Sequence, residues 1–231
     1  MVLGVACGAA ALLAGAGYRF RLLALGVGLQ TVRWSATLAI AGAAIAALAG
    51  SLQLAGGVRR GAAIAAAALA VNVVVAGPPL YLYQQAQHLP SIHDVTTDTD
   101  HPPTFVAVVP LRNDARNPVD YRADTAARQK AGYPDIVPLA LDLPPAQAFA
   151  RAERAARAMG WQIVDVAPQD LRIEATATTL LFGFKDDVVI RITAQGSRSV
   201  VDVRSLSRVG GSDFGTNARR IRAFLGALAA S

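Results

Sequence analysis

Two long stretches without a charge constrain this chain before anything else does. Trp34 to Gly57 is 24 residues, Gly61 to Tyr83 is 23, and neither holds Asp, Glu, Lys or Arg. A helix crossing the hydrocarbon core of a bilayer needs about 20 mostly apolar residues. Only Val58-Arg59-Arg60 separates the two windows, which leaves room for a tight helical hairpin. A third window, Val2 to Gly17, has 16 residues and is short for a full span, as an upstream start codon would explain. It ends at Tyr18-Arg19-Phe20-Arg21, an aromatic and basic edge of interfacial type. Leu22 to Thr31 is apolar but only ten residues long, and reads as an interfacial or re-entrant piece. A signal peptide fits poorly, because no basic n-region is present and two long spans follow.

Residues 1–83 are therefore expected to form a transmembrane region with helical segments at 2–17, 34–57 and 61–83. The spans are rich in Ala and Gly, and small residues let helix backbones approach closely. Gly42, Ala46 and Gly50 recur every four residues and predict packing within the hairpin, with dimerisation as the alternative. Asn72 is the strongly polar side chain deep in a span. It predicts a hydrogen bond between helices rather than an ion site, because no carboxylate is near.

Charge follows the same division. The chain carries 22 Lys and Arg against 16 Asp and Glu, a net +6. Residues 1–83 hold no acidic residue and five of the arginines, so the remainder is close to neutral. The basic balance thus comes from the flanks of membrane segments and excludes a nucleic-acid partner. Arg19, Arg21 and Arg33 nearly balance Arg59 and Arg60 across a three-span membrane region. The segment 84–111 contains no Lys or Arg but does contain Asp94, Asp98 and Asp100. Such a flank points to a domain facing out of the cytoplasm. Cys7, inside the membrane part, is neutral on compartment.

Beyond residue 83, prolines at 90, 102, 103, 110 and 118 predict an extended lead-in over 84–120. Within it Phe105 to Val109 is a short strand or a segment tucked on the core. Residues 121–231 read as one soluble domain. Asp124 to Ala131 suits a short helix and Val137 to Leu143 a strand. Ala146 to Met159 is a helix with Phe149, Ala152, Ala156 and Met159 on one stripe, stopped by Gly160. Strands follow at Trp161–Ala167, Leu171–Thr179, Asp187–Ala194 and Val200–Ser207, the last two joined by a Gln195-Gly196-Ser197 turn. A helix from Thr216 to Ala229 closes the chain. The fold class is α+β: transmembrane helices, then a two-layer domain of antiparallel sheet with two helices on one face. The other face would carry Arg172, Glu174, Asp187, Arg191, Asp202 and Arg204 as a solvated salt-bridge ladder, with a ligand-binding face as the alternative. If the two helices lie side by side, Arg151, Arg154, Arg157, Arg219, Arg220 and Arg222 share an outer surface.

Three places carry possible chemistry. Ile92 to His101 gathers His93, Asp94, Asp98 and Asp100, a mixed N and O set that suits a divalent metal, although no HExxH or EF-hand register is present. The plainer reading is a polar loop with local turns. Ser205 to Asn217 joins a strand to a helix through glycines. A helix N-terminus suits an anion, and turn plus capping is the plainer reading. Phe182 to Asp187 is the tip of a hairpin, and adjacent carboxylates in a strand point to opposite faces. The candidate ligand- or partner-binding residues are Lys185, Asp186, Asp187, Arg204, Arg208, Asp213 and Asn217. No Ser-His-Asp or Cys-His set is available, so no catalytic residue is assigned, and no motif calls for a cofactor.

The soluble part resembles the domain of unknown function 1499 family of bacteria and plastids. The resemblance rests on Ile92-His93-Asp94-Val95-Thr96-Thr97-Asp98, Tyr133-Pro134-Asp135-Ile136 and Met159-Gly160-Trp161. It continues through Arg172 to Thr179, Phe182-Gly183-Phe184-Lys185-Asp186-Asp187, Asp202-Val203-Arg204-Ser205 and Asn217-Ala218-Arg219-Arg220-Ile221, and covers about residues 88–228. It implies no activity and brings no catalytic residue with it. Lipoprotein-like members imply an outward-facing domain. The expected function is a multi-pass protein, in the bacterial inner membrane, whose domain binds without catalysis. Its partners would be the lipid bilayer and another envelope protein or a small ligand. The alternative is a metal protein or metal-dependent enzyme on His93, Asp94, Asp98 and Asp100.

Overall fold

The computed structural model describes residues 1–230. The chain forms two compact units, one of Met1–Gln87 with Leu180–Gly183, the other of His88–Thr179 with the chain from Phe184 onward. Each is built on its own logic.

The first unit has three helices, α1 (Val2–Arg19), α2 (Leu25–Ala55) and α3 (Arg59–His88), all long and apolar enough to cross a membrane. α2 corrects one expectation. Leu25 to Thr31 is not a separate re-entrant piece but the first turns of a continuous 31-residue helix. In hydrocarbon every backbone N–H and C=O must be satisfied internally, and a helix break would leave several open. At 1.5 Å per residue α2 is about 46 Å long, beyond the roughly 30 Å of a hydrocarbon core. α3 also runs past Tyr83, through Pro78 and Pro79, to His88.

The Gly42, Ala46 and Gly50 face packs within the unit. A Cβ at Gly42 would lie 2.7 Å from Asn72 Oδ1, and one at Gly50 would lie 3.4 Å from Ala65 Cβ. Glycine at 42 is thus what admits the Asn72 amide. That amide donates to the Ala68 carbonyl of its own helix at 2.8 Å, and Oδ1 has no partner among the described residues. Asn72 fills space between helices rather than bridging them by a hydrogen bond. The four residues 180–183 complete this unit. Leu181 and Phe182 lie against Gly15 and Gly28, the Phe182 ring is 6.1 Å from that of Tyr18, and Arg19 donates to the Leu180 carbonyl.

The second unit is an open antiparallel sheet. Its elements are β1 (Asp94–Thr96), α4 (Ala123–Gly132), β2 (Leu139–Leu141), α5 (Pro145–Ala158) and β3 (Gln162–Ala167), followed by β4 (Arg172–Thr178), β5 (Lys185–Gln195), β6 (Arg198–Ser207) and α6 (Thr216–Ala230). The strand order is β1-β6-β5-β4-β3, and β2 also pairs with β6. β1 meets β6 at 204–206 and β2 meets it at 199–201, so both share the edge that β5 leaves open. β1 lies in the segment that prolines mark as irregular, and three residues of strand are too few to register as a period.

Local chemistry sets the boundaries. Pro145 opens α5, where its missing N–H costs nothing, and Gly160 at φ +72° ends it. Apolar residues alternate along β4, β5 and β6, so one face gathers Ile173, Ala175, Val188, Ile190, Val201 and Val203. α5 and α6 cover this face with Phe149, Ala152, Ile221, Phe224 and Leu228, and the Trp161 and Phe224 rings stack at 5.4 Å.

The other face overturns the expectation of a solvated ladder. Glu174, Asp187, Asp202 and Arg204 are buried. The lead-in lies over them: Phe105 and Val108 pack with Val189 and Leu206 into a second small core, backed by Val119 and Val164. Charged residues that alternation places outward are thus roofed by an irregular segment, whose backbone donors they satisfy. Glu174 accepts from Val106 N at 2.8 Å and Val108 N at 2.9 Å. The edge strand β1 is closed by a side chain, since Gln129 of α4 donates to the Thr96 carbonyl at 2.5 Å and accepts from Thr96 N at 2.9 Å. That amide takes the place of a further strand on an edge that would otherwise invite pairing.

Candidate functional site

The candidate ligand- or partner-binding residues Lys185, Asp186, Asp187, Arg204, Arg208, Asp213 and Asn217 gather at one end of the sheet, where β5 begins and β6 ends. Asp186 and Asp187 are the second and third residues of β5, opposite Ser207 and Leu206 of β6. As strand neighbours they face opposite ways, and each organises its own polar cluster.

On the lead-in face, Asp187 is fully buried between two arginines. Arg208 reaches it through Nε at 3.0 Å to Oδ2 and Nη2 at 2.9 Å to Oδ1, Thr176 donates at 2.9 Å, and Arg112 from the lead-in pairs with Oδ2. Arg208 also donates to the Leu111 carbonyl at 2.7 Å and to Asp114 at 3.2 Å, and Arg112 donates to the Asn117 carbonyl at 2.8 Å. Two arginines are therefore offset by two carboxylates, one of them buried. Beside them Arg204 holds Asp94 through two bonds of 3.0 and 2.7 Å and donates to the carbonyls of Val119 and Pro103. Its guanidinium lies 5.0 Å from the Phe105 ring centre and 5.3 Å from that of Tyr121. Planar forks of this kind make the strongest charge-assisted pairs.

On the helix face, Asp186 accepts from Arg220 at 2.6 Å. Arg220 also donates to Ser205 at 2.9 Å and bonds Asn217, whose amide donates to Ser207 Oγ and to the His93 carbonyl at 3.0 Å each. Asp213 caps α6, accepting from Gly215 N at 2.8 Å and Asn217 N at 2.7 Å. Burial pushes its carboxyl above the usual range against those two bonds, and the neighbouring Asp186 adds to the rise. Lys185 keeps an exposed side chain, while its carbonyl accepts from Arg208 N at 3.0 Å.

The metal set does not converge. Asp94 is committed to Arg204, Asp98 to Arg191 and to the backbone of Asp100 and His101, and Asp100 to Lys130; His93 Nδ1 lies 3.4 Å from the Gly211 carbonyl. Among the described residues no three His, Cys, Asp or Glu side chains are placed to hold a metal ion. The proposed arginine surface is dispersed as well. Arg220 turns inward to Asp186, Arg222 pairs with Asp135, and Arg157 pairs with Glu153.

Arg112 and Asp114 escape the sequence reading, and Arg220, Ser205 and Thr176 enter it only outside the candidate site residues. Arg112 and Asp187 are 75 positions apart and Asp94 and Arg204 are 110 apart, and no local period links residues across such distances. The one signal available was the excess of charges on the outward positions of β4 to β6.

Several exposed ion pairs predict an acid limb. Arg222's hydrogen bond holds Asp135 below the ordinary carboxylate range. Partial burial pushes Asp98 and Asp114 upward. It is outweighed at Asp98 by the His101 and Asp100 N–H groups with Arg191, and at Asp114 by Arg208. All three bind a proton less readily folded than unfolded. Their stabilisation is complete above the unfolded value of about 3.9 and is lost as pH falls through the lower folded values. Asp213, shifted the other way, recovers stability on protonation and partly offsets the loss. Denaturant midpoints should therefore fall steeply only below about pH 4, and Asp135→Asn should make that fall shallower. A midpoint independent of pH in this range would contradict these assignments.

A crystal structure of CalU16 from Micromonospora echinospora matches over 39% of this chain and 72% of its own, at 12% identity and a TM-score of 0.30. A likeness of that depth bears on neither fold nor function. A search of the curated proteins gives no match. A family model, protein of unknown function (DUF1499), matches residues 94–228. It begins at the first residue of β1 and ends in the last turn of α6, and with more than half of its length matched, this chain belongs to the DUF1499 family.

Proposed function

We propose that this protein is a membrane-anchored, non-catalytic binding module of the bacterial cell envelope, its domain facing out of the cytoplasm. In this reading the helices hold it in the inner membrane, and the domain contacts an envelope protein or a small ligand. The observation that carries the proposal is Phe214. This aromatic ring is 44% exposed and sits at φ +52°, in the loop between β6 and α6. A bulky residue in the left-handed region is strained, and such strain persists only where the surroundings over-determine it. Here Asp213 accepts from Gly215 N and Asn217 N on the side that leads into α6, and Arg219 donates to the Phe214 carbonyl at 3.0 Å. The loop holds an exposed ring in a costly pose, which suits contact with a partner rather than packing. Arg219 on α6, and Lys185 on β5, whose carbonyl accepts from Arg208 N at the start of the loop, are both exposed and supply positive charge. The buried candidates Asp186, Asp187, Arg204, Arg208 and Asn217 then act by stiffening its base.

The test is a photo-crosslinking residue at position 214 of the full-length protein in cells. A discrete adduct is expected, weakened by Arg219→Ala and absent from position 196 in the β5–β6 turn. Equal labelling at 214 and 196 would remove the binding surface from that loop. Turnover by the purified protein, abolished by Asp186→Asn or Asp213→Asn without unfolding, would replace the proposal with an enzyme. A periplasmic reporter should be active at the C-terminus and silent after Arg60; the reverse would overturn the orientation.

A further inference from the structure

Leu180 is 89% exposed, more than any other large hydrophobic residue described. It lies in a run of ten uncharged residues, Ala175 to Phe184, between Glu174 and Lys185. The segment Leu180–Gly183 belongs to the unit of three apolar helices. Its neighbours there are Gly15, Tyr18 and Arg19 at the end of α1 and Gly28 in the first turns of α2. Leu181 and Phe182 fill the space those glycines leave, and Arg19 satisfies the Leu180 carbonyl, as a backbone polar group near hydrocarbon requires. A single exposed leucine is ordinary in water. This one continues the apolar surface of membrane helices, at the level of an aromatic and basic edge, Tyr18-Arg19-Phe20-Arg21.

We infer that the tip between β4 and β5 is a lipid-contacting wedge, with Leu180 seated among acyl chains just below the headgroups. The occupant is lipid hydrocarbon, because the wedge is continuous with helix surfaces that are themselves exposed and apolar: Leu12 and Leu13 on α1, and Phe20 and Leu22 beyond it, are 62–78% exposed. This inference rests on the reading of α1, α2 and α3 as membrane spans, and its test separates the two.

Full-length protein with Cys7→Ala receives single cysteines at Leu180, Ile64 or Ser197, each labelled with a fluorophore. The proteins are reconstituted in phosphatidylcholine nanodiscs containing lipids with nitroxide-bearing acyl chains. Ile64 lies in the second turn of α3, inside the uncharged run that follows Arg60, and is 60% exposed. Ser197 is at the far end of β5, about 35 Å along the strand from the tip. Quenching at 180 is expected to be several-fold stronger than at 197 and comparable to that at 64. Quenching at 64 but no more at 180 than at 197 overturns the wedge and leaves the membrane reading intact. No quenching at 64 overturns both.

Discussion

Asp187→Ala is expected to destabilise the domain by about 3–5 kcal/mol, the range for removing one partner of a buried ion pair. The reason is what it leaves behind. Arg112 and Arg208, with side chains 5% and 6% exposed, would face each other with only Asp114 and carbonyl oxygens to share. A loss of that size approaches the whole stability of an ordinary domain, about 5–15 kcal/mol. Denaturant unfolding followed by Trp161 fluorescence reads the effect, with Lys185→Ala, an exposed neighbour, within about 0.5 kcal/mol of wild type. Replacing the whole cluster by apolar residues, Asp187→Leu with Arg112→Met and Arg208→Met, should recover much of the loss. If the single change costs under about 1 kcal/mol, the lead-in is not clamped to the sheet through this carboxylate.

Phe224→Ala is expected to cost about 3–5 kcal/mol by the opposite route, a cavity instead of an orphaned charge. Phe224 is fully buried at the centre of the α6 contact and stacks on Trp161. Removing the ring takes away both its own burial and one wall of the indole site, so the Trp161 emission should shift to the red along with the lost stability. Phe214 makes the informative contrast. Phe214→Gly relieves a positive φ and removes an exposed ring, so stability should hold or rise while the partner identified by crosslinking no longer copurifies. A large loss of stability from Phe214→Gly would make that ring a packing residue.

The amphipathic periods were enough to read α5, α6 and the four strands β3 to β6 from the sequence, because each rests on contacts a few residues apart. Phe149, Ala152 and Ala156 keep a helical stripe, and Val188, Ile190 and Ile192 keep a strand face. The uncharged windows likewise announced helices long enough to cross a membrane, since span length is a property of consecutive residues. The opposite faces of Asp186 and Asp187 followed from the strand period alone.

What lay on the second face of the sheet did not follow. Alternation marks Glu174, Asp187, Asp202 and Arg204 as pointing away from the helices, and a residue that points away from one layer is solvated unless another layer arrives. Here the other layer is residues 97–121, a proline-broken segment without a period of its own. It is held by Glu174 on two backbone N–H groups and by Arg112 on Asp187. The sequence determined the helices, the strands β2 to β6 and their inward faces, because these are set by local spacing and burial of apolar surface. Tertiary structure alone decided which charges are buried and paired, because ion pairs across 75 or 110 residues depend on where the chain returns, and no local pattern encodes that return.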